Sequence, residues 1–105
     1  MKDYEKLIND VEFWAEERKL NTATTSSKQM LKLQEEVGEL AQAYLKGYPD
    51  KFTDSIGDIQ VVLIILCMQQ GVNYHKCLED AHNVIKERKG KLVSGSYIKE
   101  SDANN

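Results

Sequence analysis

Between Ile59 and Met68 the one polar side chain is Gln60. A helix that is apolar nearly all round must be enclosed by other helices or by a second copy of the chain, so this segment constrains the fold more than any other. It is about half the roughly 20 residues that a membrane-spanning helix needs, and it reads as a buried helix with no membrane partner.

Three further helical patterns surround it, and nothing alternates cleanly enough to support a sheet. The first runs from about Asp3 to Leu20, with Tyr4, Leu7, Ile8, Val11, Trp14 and Ala15 on one apolar face. Asn21 to Ser27 is a Thr/Ser-rich connector, in which Ser26 and Gln29 have capping-box spacing for a second helix ending near Lys46. Its expected stripe is Met30, Leu33, Val37, Leu40 and Tyr44. Gly47 and Tyr48-Pro49-Asp50 stop one helix and start the next, expected from about Lys51 to Gln70. Asn73 then caps a fourth helix carrying Tyr74, Cys77, Leu78, Ala81 and Ile85 and leading to Gly90.

These patterns predict an all-α, four-helix bundle-like fold, with residues 1–95 as one domain and 96–105 as a polar tail. A chain of 105 residues buries only a modest core. Completion of that core by a homodimer or homotetramer is therefore expected. The net charge of -3 gives no cationic field for binding a nucleic acid polymer. Cys67 and Cys77 lie in apolar helical patterns and read as small buried thiols of a reducing compartment. The charged start, Met1 to Lys6, leads into no signal-peptide core, which points to a cytoplasmic protein.

The chemistry is concentrated in two acidic clusters, Glu35-Glu36-Val37-Gly38-Glu39 and Asp54-Ser55-Ile56-Gly57-Asp58. On a helical wheel Lys32, Glu36, Glu39 and Ala43 form a line beside the second helix's apolar stripe. Glu36 and Glu39 can reach one point in space, where they repel unless Lys32 or a divalent ion stands between them. Asp54 and Asp58, at i and i+4, share a face that continues as Val61 and Ile65. No Lys or Arg follows Lys51 in that helix. Four carboxylates with no Cys or His among them suit a hard cation, Mg2+ before Mn2+. The plainer reading is a set of solvated acidic faces, with Asp54 favoured by the positive end of its helix.

Lys32-Leu33-Gln34-Glu35-Glu36-Val37-Gly38-Glu39-Leu40-Ala41, followed by Asp54-Ser55-Ile56-Gly57-Asp58-Ile59, resembles the MazG-like, all-α nucleotide pyrophosphohydrolases over roughly Trp14 to Gly95. The resemblance implies a Mg2+-dependent enzyme that cleaves nucleoside triphosphates between the α and β phosphates. It carries Glu36 and Glu39 over as the first half of the metal motif and Asp58 as its last ligand, with Glu36 or Glu39 as the base for the attacking water. Ser55 stands where the family usually has a third Glu. Either Asp54 supplies the missing carboxylate, or the chain is a degenerate, non-catalytic helical interaction module.

Asn83 and Lys86 are further candidates for phosphate or sugar contacts, as is Lys32. The cations after Asn83 equally suit the end of a helix. Trp14 reads as core, with base stacking as the other use of such a ring. His75 and His82 are roughly 10 Å apart along a helix, too far to share an ion easily. No Gly-rich phosphate loop and no nucleophilic triad is present.

Overall fold

The computed structural model describes residues 1–100. Helix α1 (Tyr4–Glu17) is capped by Asp3, whose carboxylate accepts from the Lys6 N–H at 3.2 Å. It ends three residues before the expected Leu20 because Lys19 turns left-handed (φ 58°), and the Leu20 N–H returns to the Ala15 carbonyl at 2.9 Å. Its apolar face packs on α3, burying Ile8 and Ala15.

A 3-10 turn, Ala23–Thr25, leads into α2 (Ser26–Lys46). The capping box expected of Ser26 and Gln29 does not form. Ser26 already has helical backbone angles, so its hydroxyl donates backward to Ala23 O at 3.0 Å. Gln29 reaches across instead and donates to the Val62 carbonyl at 3.1 Å.

At the far end of α2, Gly47 takes the left-handed conformation (φ 73°). The Tyr48 N–H bonds to Ala43 O at 2.9 Å and the Gly47 N–H to Tyr44 O at 3.2 Å, the paired bonds of a Schellman stop. Helix α3 (Pro49–Gln69) begins at once, two residues earlier than expected, because Pro49 fits the first helical position. A link this short makes α2 and α3 an antiparallel hairpin.

Helix α3 is the centre of the fold. Val62, Ile64 and Ile65 are its buried apolar residues, set against α1 and α2. By length and composition α3 could cross a membrane, with a mean hydropathy of 1.4, yet its apolar side chains serve this helical core. Its last turn is tied down by Gln69, whose Nε2 donates to Leu20 O at 2.8 Å and to Thr25 Oγ1 at 2.7 Å.

The chain divides into two compact units, Met1–His75 and a second beginning at Lys76. Helix α4 (Tyr74–Ile85) crosses that boundary. In the first unit Tyr4 donates to Gln60 Oε1 at 2.7 Å, and its hydroxyl stands 3.4 Å from that of Tyr74. Burial, and then the bond with Tyr4, push the Tyr74 phenol well above its ordinary value.

The second unit corrects two expectations. Where no sheet and a polar tail from residue 96 were expected, strands β1 (Gly90–Val93) and β2 (Ser96–Lys99) pair antiparallel, with Val93 opposite Ser96. Ser94 (φ 50°) and Gly95 (φ 82°) form the two-residue turn between them, and two positive φ values match the twist of paired strands. Four-residue strands are too short for a visible alternation. Cys77, expected to be buried, is exposed, and no residue of α4 is buried. A short helix and a two-stranded ribbon enclose little on their own. The end of the expected tail, residues 101–105, lies outside the described residues.

Candidate active site

The rotation of α2 decides where its carboxylates go. Of the expected stripe, Met30, Val37 and Tyr44 are exposed, Tyr44 by 72%, and Leu33 and Leu40 are half-buried, whereas Glu36 and Ala43 are the buried residues. With Leu33 and Leu40 included, the buried side lies roughly a sixth of a turn from the middle of that stripe. Ala43 sits at the Schellman stop, where the short link brings α3 close, and this places the acidic line rather than the bulky stripe at the α2–α3 seam.

Glu36 is only 6% exposed. Its Oε1 pairs with Lys32 Nζ at 3.3 Å, while Oε2 is buried and accepts no hydrogen bond. The hydrogen bond from Lys32, reinforced by charge attraction, holds that ammonium above its ordinary value. A buried carboxylate oxygen with no partner is costly, and its cost falls when an electropositive group meets it.

Glu39, Asp54 and Asp58 come together around one cavity of about 390 Å³ between α2 and α3. Gln42, Ala43, Tyr48, Lys51 and Ser55 complete its lining. Asp54 and Ser55 therefore face the same space, Asp54 exposed and Ser55 only 5% exposed. Among the described residues no three acid, His or Cys side chains converge closely enough to hold an ion by themselves.

The remaining candidates lie elsewhere. Trp14, 44% exposed rather than core, lines a separate cavity with Leu7, Val11 and Val61, and the Arg18 guanidinium covers its ring at 4.3 Å. Asn83 and Lys86 are exposed residues of the second unit. Gln42, Tyr48 and Lys51 went unnoticed in the sequence. Helical spacing was the available signal, since Gln42 is three residues after Glu39 and Lys51 four before Ser55.

A helical hairpin with carboxylates from both arms on one cavity fits the MazG-like, all-α class of nucleotide pyrophosphohydrolases. Within that class the chain belongs to the phosphoribosyl-ATP pyrophosphohydrolase family, whose pattern matches residues 1–85. An uncharacterised 18.2 kDa protein from the rep-hol intergenic region of Haemophilus phage HP1 (strain HP1c1) is 45% identical over 73 residues. The match covers 70% of this chain and 45% of the relative, so the chain spans less than half of that protein's length. No solved structure matches.

Proposed function

We propose that the protein is a Mg2+-dependent hydrolase that converts nucleoside or deoxynucleoside triphosphates to monophosphates and pyrophosphate. The observation that carries this reading is the single cavity shared by Glu39, Asp54 and Asp58. The donor set fits Mg2+, which prefers oxygen, keeps several waters and needs only one or two carboxylates beside substrate phosphates. Glu36 does not line that cavity, but its partnerless Oε2 would be stabilised by a cation that reached it. Glu36, Glu39, Asp54 and Asp58 would hold it, and when bound it neutralises charge on the phosphate oxygens.

Glu39 is the base. Its carboxylate lines the cavity, whereas Glu36 is buried against Lys32. It takes a proton from the water that attacks the α phosphorus as the bond to the pyrophosphate oxygen breaks. Asp54 compensates for Ser55. Lys32 remains a phosphate contact of this proposal, and the cytoplasm, where nucleotides are pooled, is its expected compartment.

A homodimer or homotetramer covers the unpartnered face of Met30, Val37 and Tyr44, whose seven-residue spacing suits helix pairing. The second reading is a non-catalytic interaction module. It is favoured by the absence, among the described residues, of three converging ligands.

The deciding experiment incubates the protein and Mg2+, with Mn2+ in parallel, with canonical and modified nucleoside triphosphates and with phosphoribosyl-ATP. Monophosphate and pyrophosphate are the expected products. No turnover of any substrate and no metal-dependent nucleotide binding would leave the interaction module standing. Turnover of phosphoribosyl-ATP alone would reassign the substrate.

A further inference from the structure

Ser55 is a nearly buried residue whose hydroxyl opens on the acidic cavity without a hydrogen-bond partner among the described residues. Helical Ser and Thr ordinarily donate back to the carbonyl four residues earlier, and Thr53 does so to Pro49 O at 3.0 Å. Ser55, on the same helix and 5% exposed, makes no hydrogen bond among the described residues, although it lines the acidic cavity. Its donor is therefore available to whatever enters.

Lys51 lines that cavity one turn earlier on the same helical face. A cation in the first turn of α3 works against the helix dipole, so helix stability does not account for it. Although three carboxylates share its cavity, Lys51 forms no ion pair with any of them among the described residues. Its ammonium lies instead 5.6 Å from the centre of the Tyr48 ring. An ammonium without an ion pair and a hydroxyl without a hydrogen bond, one turn apart on one helix, form a donor pair for a phosphate oxyanion. The three carboxylates of the cavity, Asp54 and Asp58 on the same helix and Glu39 across from it, would repel such an anion arriving alone, so it must enter with its divalent cation.

We infer that Lys51 and Ser55 form the seat for the terminal two phosphates of the nucleotide, and hence for the pyrophosphate released. This deepens the pyrophosphohydrolase reading and rests on it. The test is calorimetric titration of inorganic pyrophosphate, with and without Mg2+, into the wild type, Lys51→Gln, Lys51→Arg and Ser55→Ala. Circular dichroism checks that each variant is folded.

The wild type should bind pyrophosphate only with Mg2+. Lys51→Gln and Ser55→Ala should each weaken binding about tenfold, as expected for hydrogen bonds to a charged group. Lys51→Arg should retain it. Inhibition of turnover by added pyrophosphate should weaken in the same two variants. Unchanged binding and inhibition in folded Lys51→Gln and Ser55→Ala, or turnover by a wild type that binds no pyrophosphate, overturns the seat but leaves the enzyme reading intact. A wild type with neither turnover nor pyrophosphate binding overturns both.

Discussion

Lys32 Nζ lies 3.3 Å from Oε1 of Glu36, while the second oxygen of that carboxylate is buried and accepts no hydrogen bond. The helix keeps a half-satisfied charge at its main packing seam. Stability alone gives no reason to retain it.

Replacing Glu36 by Leu removes the buried charge and leaves an exposed Lys32. The variant should be more stable than wild type by about 1–2 kcal/mol and should release no pyrophosphate. Lys32→Ala acts in the opposite sense, stranding the carboxylate and lowering the urea midpoint. Urea unfolding of both, beside a pyrophosphate assay, checks the pair.

Asp58→Asn should reduce turnover by a factor on the order of 10² or more, and Asp54→Asn by less. The two share the cavity with Glu39. Full activity in Asp54→Asn would refute its compensation for Ser55.

The Tyr74 phenol is raised, by burial first and then by Tyr4. Above pH about 10 the unfolded chain gives up this proton while the folded chain keeps it, so stability falls as pH rises through the folded value. Below pH about 10 the contribution is fully present. Tyr74→Phe should flatten the alkaline loss, read from thermal midpoints between pH 8 and about 11.

Gly47 holds φ at 73° in the stop between α2 and α3. Gly47→Ala should cost about 1 kcal/mol from left-handed strain, with the urea m-value unchanged. Because this link sets the phase of both helices, the Mg2+ dependence of turnover is the second quantity to follow.

Val37 and Tyr44 are exposed apolar residues on one stripe of α2. The double variant Val37→Glu, Tyr44→Glu should shift the chain to monomer in sedimentation velocity, while its helical circular dichroism stays unchanged. Persistence of the wild-type oligomer would remove this face from the interface.

Much of the site was already legible from residue types and spacing. Glu39, Asp54 and Asp58 stand out as candidates through i, i+3 and i, i+4 relations that any helix imposes, and they line one cavity. Ser55 stood out as the departure from the family pattern. Lys51, Gln42 and Tyr48 did not stand out, because a single polar residue near a helix end has many ordinary explanations. The hairpin at Gly90–Lys99 escaped for a related reason: its turn residues, Ser94 and Gly95, were visible, but four-residue strands show too little alternation.

The sequence by itself determined the helices, their order, the stop at Gly47 and the two acidic groups, because periodicity, capping and backbone freedom are local properties. Only the tertiary structure decided which side of α2 meets α3. Hydrophobic periodicity favours the stripe of Met30, Leu33, Val37, Leu40 and Tyr44, but a short link and close packing at Ala43 turn the helix so that only Leu33 and Leu40 of it are half-buried. That rotation buries Glu36, exposes Tyr44 and brings Glu39 to the cavity of Asp54 and Asp58.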